Sequence, residues 1–277
     1  MTAPSPSSRI KAGVIQMRST DDLEGNLRSA ESLIRGAAGE GAALVVAPEC
    51  FAFLGPEEGK LKVAEPLPQG GPILQRFRDL ARTLGVELVL GGFWEQGARP
   101  EKVFNSCVHL RADGELAAVY RKIHLFDVQL ADGTALQESA SVEAGEQVVV
   151  TSTALGPLGL SICYDLRFPE LFRRLVDQGA IALAVPAAFT LTTGKDHWHV
   201  LLRARAIESQ SYVLAAAQTG RHFGQRVSYG HACIIDPWGT VLADCGEDEG
   251  YALAWIDRGQ VDKVRRSLPS LQHRRLG

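Results

Sequence analysis

Leu158-Gly159-Leu160-Ser161-Ile162-Cys163-Tyr164-Asp165-Leu166-Arg167-Phe168-Pro169-Glu170 decides the architecture of this chain. Its first half is an apolar run of the kind that forms a buried strand. Its second half carries proline and then glutamate at the first helical positions, which is a helix-start signal. A cysteine at the junction therefore sits on a strand-to-helix corner, where a side chain can face a cleft.

Outward from this segment the strand-then-helix alternation repeats. Strands fit residues 11–17, 43–47, 86–91, 103–110, 116–120, 148–151, 158–162, 181–185, 212–217, 231–235 and 252–256. Helices fit 22–38, where Leu23, Leu27, Ala30, Ile34 and Ala37 recur at helical spacing, and then 73–83, 169–178 and 198–209. The pattern predicts a layered α/β domain. With 277 residues and 45% hydrophobic content, the chain is long enough for one large core. Residues 9–277 are expected to form a single domain behind a short disordered tail, residues 1–8, because no linker, low-complexity tract or charge block divides them.

A formal charge of −3 gives no electrostatic reason to propose nucleic acid or an acidic membrane as partner. No apolar run approaches the roughly 18 residues of a transmembrane helix. The five cysteines, Cys50, Cys107, Cys163, Cys233 and Cys245, include no C-x-x-C pair, so reduced thiols in a cytoplasmic setting are expected. Neither a glycine-rich phosphate loop nor a metal-ligand cluster appears, so no cofactor and no metal is called for. His197-Trp198-His199 alternates histidines without a third ligand at metal-site spacing, which favours a structural role.

Two further strand ends carry groups that would complement a thiol. Ala43-Leu-Val-Val-Ala-Pro48-Glu49 ends in a carboxylate, and Leu116-Ala-Ala-Val-Tyr120-Arg121-Lys122 ends in an amine. A free thiol is mostly protonated at neutral pH and needs a base and a charge partner to act as a nucleophile. Taken singly, a cysteine closing an apolar run is an ordinary small hydrophobe, and charges at strand ends are ordinary surface. Their joint occurrence points to chemistry.

Pro48-Glu49-Cys50-Phe51, Tyr120-Arg121-Lys122-Ile123-His124-Leu125-Phe126-Asp127-Val128 and Cys163-Tyr164-Asp165-Leu166-Arg167-Phe168-Pro169-Glu170-Leu171 resemble the three signature segments of the nitrilase superfamily of carbon–nitrogen hydrolases. The resemblance spans residues 10–275. It narrows to the Nit branch on Gly194-Lys-Asp-His197-Trp198, Ser228-Tyr229-Gly230-His231 and Asp236-Pro237-Trp238-Gly239-Thr240. It implies a four-layer α-β-β-α sandwich with the catalytic groups at strand ends.

The resemblance also implies a catalytic set of Glu49, Lys122 and Cys163, with Glu138 as supporting glutamate. Glu49 would exchange protons with the thiol and the departing nitrogen. Cys163 would form a thioester. Lys122 and the backbone N–H of Tyr164 would hold the oxyanion, and Glu138 would hold Lys122 and orient water. A helix N-terminus near Cys163 is expected to favour the thiolate. Arg167 is a candidate for a substrate carboxylate or a brace for its loop, and Ala187, Phe189 and Thr190 are candidate walls of the site. Arg203, Arg205 and Glu208 suit a salt-bridged face or a subunit contact, and the resemblance favours a homodimer or higher homo-oligomer.

The activity implied is hydrolysis of the terminal amide of a small carboxylate-bearing metabolite to acid and ammonia. Deaminated glutathione is the first candidate substrate, and 2-oxoglutaramate or 2-oxosuccinamate the second. Two rivals remain at this point: a cysteine enzyme whose base is His124, His197 or His231, and a binding or regulatory protein that keeps the thiol for packing.

Overall fold

Runs such as Leu44–Ala47 and Gly156–Leu160 are apolar throughout rather than alternating, so the strands they form must be covered on both faces. A computed structural model of the chain describes residues 9–129 and 135–276. The expected N-terminal tail, residues 1–8, lies outside the described residues. Among these the elements run β1 (Arg9–Met17), α1 (Leu23–Gly39), β2 (Leu44–Ala47), α2 (Glu57–Val63), α3 (Pro72–Leu84), β3 (Glu87–Gln96), β4 (Val103–Leu110), β5 (Leu116–Arg121), β6 (Asp127–Gln129), β7 (Ala135–Gln137), β8 (Val142–Glu143) and β9 (Val150–Thr153). They continue with β10 (Gly156–Leu160), α4 (Pro169–Asp177), β11 (Ala182–Ala184), α5 (Leu191–Ser209), β12 (Tyr212–Ala215), β13 (Ala217–Arg221), β14 (Val227–Tyr229), β15 (Cys233–Ile235), β16 (Val241–Asp244), β17 (Gly250–Asp257) and α6 (Arg258–Ser267).

Two mixed sheets result. One has the order β14-β13-β1-β2-β3-β4-β5, with β17 also paired to β1 and β8 to β4; the other runs β16-β15-β12-β11-β10-β9. The strand pleat sorts the side chains of the first sheet. Val14, Leu44, Val46 and Val89 face inward onto Leu158, Leu160 and Leu183 of the second sheet, while Ile15, Val45, Leu88 and Leu90 face outward. α1 and α3 cover that outer face through Leu27, Ile34, Leu74 and Phe77. α4 and α5 cover the other sheet through Phe172, Leu175, Trp198 and Leu202. This is the α-β-β-α sandwich.

The expected strand 212–217 is two strands in different sheets: β12 pairs with β11 and β15, and β13 with β1 and β14. The chain crosses between layers at Ala215-Ala216-Ala217, all at most 1% exposed. Three methyl side chains let the two backbones approach, and a continuous apolar run conceals the change of partner. The fifth helix begins at Leu191 rather than at residue 198; its first turn, Leu-Thr-Thr-Gly, has no apolar periodicity and, after Leu191, no strong helix former to mark it. Gly194 is required there, since a Cβ would lie 2.3 Å from that of Tyr229.

Candidate active site

Strand β10 ends at Leu160, and the chain turns at Cys163 into a 3-10 turn, Cys163–Arg167, before α4 begins at Pro169. Cys163 has φ +48°, a left-handed conformation that side chains rarely adopt. Its backbone is pinned by the bond from its N–H to the Pro186 carbonyl, 2.9 Å. Asp165, fully buried, locks the corner. It accepts from Ile162 N (2.9 Å), Tyr120 Oη (2.7 Å) and His124 N (3.1 Å), and pairs with His124 Nδ1 at 2.7 Å. One carboxylate thus ties the nucleophile's turn to the chain leaving β5, which carries Lys122. Arg205, 5% exposed, donates twice to the Leu166 carbonyl and bonds Glu208, so it braces this turn from inside the fold.

Glu49 leaves β2 on an equally tight corner. Cys50 has φ +59°, and Gly92 packs so closely that a Cβ there would lie 2.1 Å from Cys50 N. Lys122 is 2% exposed, and its Nζ lies 3.0 Å from Glu49 Oε1 and 2.8 Å from Glu138 Oε2. Asn105 Nδ2 donates to both carboxylates, 2.9 Å to each. The second oxygen of Glu49 accepts from Ala188 N at 2.9 Å, and the Cys163 thiol is within hydrogen-bonding reach of the same carboxylate.

The electrostatics follow from burial and pairing. Burial alone would raise Glu49, but Lys122, the contact with Cys163, and Arg226 and Asn105 outweigh it and hold its carboxyl down to about 2. Lys122 is held well above its ordinary value: burial opposes its charge, and Glu138, Glu49 and the facing thiol more than offset that. The Cys163 thiol is pushed well above the ordinary value, first by burial and then by the Glu49 charge. The expectation of a resting thiolate is therefore corrected. A carboxylate beside a dry thiol outweighs the short helical turn below it, so the site rests as thiol, carboxylate and ammonium.

Two clefts meet at the thiol. The larger is lined by Glu49, Lys122 and Glu138, together with Lys60, Trp94 and Arg226. The smaller is lined by Tyr164, Arg167, Phe189, Thr190 and Thr193. Cys163, Phe126 and Ala188 belong to both. A more voluminous cleft lies elsewhere, over Phe104, Val119 and Arg121, where Arg121 is tied to Glu95 and the lining holds no nucleophile.

The sequence-derived residues distribute as follows. Glu49, Lys122, Glu138 and Cys163 converge. Tyr164, second in the 3-10 turn, has a backbone N–H with no acceptor inside that turn. Among the described residues Arg167 makes no bond to an acid; its guanidinium lies 5.0 Å from the Phe189 ring centre and 5.9 Å from that of Tyr164, with His197 at 3.3 Å. Ala187 is not a wall of either cleft. It is wholly buried between the sheets, bridged to Ala217, and Ala188 takes the wall position.

Asn105, Asp165 and Arg226 went unrecognised in the sequence. The first is a buried polar residue inside an apolar strand, which is a usable signal. His199 and His231 both pair with Asp244, at 2.8 and 3.0 Å, and the donor atoms of His199, Asp244 and Cys233 lie within 4.8 Å of one another. This is the third neighbour that the spacing of His197 and His199 does not reveal. Asp244 also accepts from Gly246 N, so its oxygens are engaged within the protein.

Among known proteins, the sequence pattern described as carbon–nitrogen hydrolase matches residues 11–266. The deaminated glutathione amidase of Synechocystis is 48% identical over 267 residues, covering 95% of this chain and 97% of that protein. The human deaminated glutathione amidase is 46% identical, covering 95% and 81%. Among solved structures, the C. elegans NitFhit protein superposes with a TM-score of 0.91 at 40% identity, covering 98% of this chain and 66% of that one. Saccharomyces cerevisiae Nit3, a member of branch 10 of the nitrilase superfamily, gives 0.86 at 30% identity, covering all of both chains.

Proposed function

The chain belongs to the carbon–nitrogen hydrolase family, and from that premise we propose that it hydrolyses the amide of deaminated glutathione through a thioester on Cys163. One observation carries the mechanism: a neutral thiol and an ionised Glu49 face each other beside an ammonium clamped between two carboxylates. Glu49 accepts the thiol proton as Sγ attacks the amide carbon. The oxyanion that forms is held by Lys122 and the Tyr164 N–H. Glu49 then returns the proton to the nitrogen, the C–N bond breaks, and the thioester remains. Water, oriented by Glu138 and deprotonated by Glu49, adds to the thioester, and the thiol is expelled with its proton restored. The three histidines are engaged elsewhere, His197 with Arg167, His231 with Asp244 and His124 with Asp165.

The substrate assignment is supported by the names of the relatives and by Arg167. Its guanidinium lines the smaller cleft without an acidic partner among the described residues, which suits the carboxylate of a 2-oxo acid. In deaminated glutathione the amide nitrogen belongs to cysteinylglycine, so the leaving group is the dipeptide's amine. Ammonia leaves only from an unsubstituted amide such as 2-oxoglutaramate. Both substrates yield 2-oxoglutarate, and its release is the direct assay, with Cys163→Ala as the blank. A higher kcat/KM on deaminated glutathione supports the proposal. A preference for 2-oxoglutaramate moves the assignment to an omega-amidase, and release that survives Cys163→Ala overturns the mechanism.

A homodimer across α5 is part of the proposal. Val200, Ile207 and Trp238 are 66%, 48% and 60% exposed, and Arg203 Nε bonds the Gly239 carbonyl beside Ile207, joining them in one apolar patch. No helix among the described residues is long and apolar enough to cross a membrane, and all five cysteines are unpaired, which suits a reducing, cytoplasmic setting.

A further inference from the structure

The larger cleft presents three cations, and two of them are already matched. Lys122 is held by Glu49 and Glu138. Lys60 is 2.6 Å from Glu57 and packs over the Trp94 ring at 4.8 Å. Arg226 has no such partner: no ion pair or hydrogen bond engages its guanidinium among the described residues, and its Nε is buried without an acceptor.

The backbone beneath Arg226 is fixed. It closes the turn between β13 and β14, with its N–H on the Phe223 carbonyl and its carbonyl accepting from His222 N, each 3.0 Å. The His222 ring anchors that turn. Its Nδ1 donates to the Ser19 carbonyl and its Nε2 accepts from Ser228, both at 2.8 Å. An arginine that lines a cleft from a hydrogen-bonded backbone, its guanidinium in no ion pair among the described residues, can grip a carboxylate with two parallel bonds from its terminal Nη groups.

The position of Glu49 says which end of a substrate this is. Glu49 lines the larger cleft and not the smaller. The group that protonates the leaving nitrogen must lie on the leaving-group side, so the amine departs into the Arg226 cleft while the acyl part occupies the Arg167 cleft. Resting on the function proposed above, we infer that Arg226 is a specificity-determining residue that binds the carboxylate at the far end of the leaving group, which in deaminated glutathione is the glycine carboxylate. The two arginines then span a substrate that is anionic at both ends, with Cys163 between them. A 2-oxo-acid amide without a carboxylate on its nitrogen side engages only Arg167.

The test compares deaminated glutathione with its C-terminal glycinamide, which differs only in that charge. A charge-assisted pair gives the wild-type enzyme about a 10- to 100-fold preference in kcat/KM for the free acid. Arg226→Gln collapses that ratio to within about twofold of unity, and Arg226→Lys retains part of it. Any loss common to both substrates, such as a change in the field at Glu49, cancels in the ratio. A wild-type ratio near unity, or a ratio that Arg226→Gln leaves unchanged, overturns the inference. If neither compound is hydrolysed in a Cys163-dependent manner, the substrate proposal fails, and Arg226 is scored by protection of Cys163 against iodoacetamide. Alanylglycine should then protect at about tenfold lower concentration than alanylglycinamide in the wild type but not in Arg226→Gln. Equal protection by the two dipeptides in the wild type overturns the inference in that case.

Discussion

Replacing Lys122 with methionine keeps most of the side-chain volume and removes the ammonium that lies 3.0 Å from Glu49 and 2.8 Å from Glu138. Deleting one partner of a buried ion pair costs about 3–5 kcal/mol, because the remaining charge is stranded. At about 2 °C per kcal/mol for a chain of this size, the melting temperature at pH 8 should fall by roughly 6–10 °C. The pH dependence separates this cause from lost packing. In the wild type the Glu49 carboxyl is held at about 2, below the unfolded value near 4.3. Its contribution is therefore present above pH 5 and lost only as the pH falls toward 2. In Lys122→Met the largest of the groups that offset burial is gone, so the Glu49 carboxyl rises. The folded variant then binds protons more tightly than the folded wild type, and its stability deficit grows as pH rises. Thermal melts by circular dichroism at pH 5, 6.5 and 8 should show a deficit against wild type that is largest at pH 8 and shrinks on acidification. A deficit equal at pH 5 and pH 8, or one below about 2 °C at pH 8, would refute the electrostatic reasoning.

Glu49→Gln removes the base, so kcat/KM on the preferred amide should fall by about 10²- to 10⁴-fold, and Cys163 alkylation at pH 7, followed by mass spectrometry, should slow. Fast alkylation unchanged by the substitution would mean that the thiolate forms without Glu49. Asp165→Asn leaves one oxygen to serve the donors from Ile162, Tyr120 and His124, so at least one is stranded at a cost of about 1–3 kcal/mol. A lower melting temperature and a kcat loss larger than any change in KM are expected, and wild-type values of both would remove Asp165 from the role of fixing the elbow. His222 is held down at about 4, chiefly by burial, against about 6.5 unfolded. Wild-type stability should therefore decline as pH falls from 6.5 toward 4, where the unfolded chain takes the proton first, and melts of His222→Gln should be flatter across that window.

The strand-and-helix skeleton was legible wherever an element is buried and keeps one partner. The helix over residues 22–38 is found within one residue, as Leu23–Gly39, because its apolar face touches a single sheet and Asp22 caps it. Legibility failed where tertiary context decides. The second helix, Glu57–Val63, has Lys60 as its buried residue, so no apolar stripe marks it. Its placement depends on Trp94 and Ser141 receiving that lysine from elsewhere in the fold. The site was legible as chemistry, since a thiol, a carboxylate and an amine each end a strand. Apart from Glu138, which the resemblance implies, the groups that hold those three in place were not. Asn105, Asp165 and Arg226 come from a strand interior, a turn and a hairpin loop, and their value lies in distances to residues 33 to 177 positions away that no local pattern encodes.

The resting charges explain why the thiol can stay protonated without loss of reactivity. In the proposed cycle the proton leaving Sγ goes to Glu49, so negative charge moves from that carboxylate to the sulfur and then to the substrate oxygen. Each of these positions faces the same ammonium: Lys122 stabilises Glu49 before attack and the oxyanion during it, and the net charge of the cavity does not change. Glu138 and the shared Asn105 amide keep the ammonium fixed while its other partner changes, so little reorganisation accompanies the transfer. A permanently ionised Cys163 would be a buried charge and a second anion beside Glu49, and burial first, then that repulsion, push the thiol upward. A neutral thiol beside an ionised base is thus the lower-energy resting state, and it becomes the nucleophile only when a carbonyl is present to accept the charge.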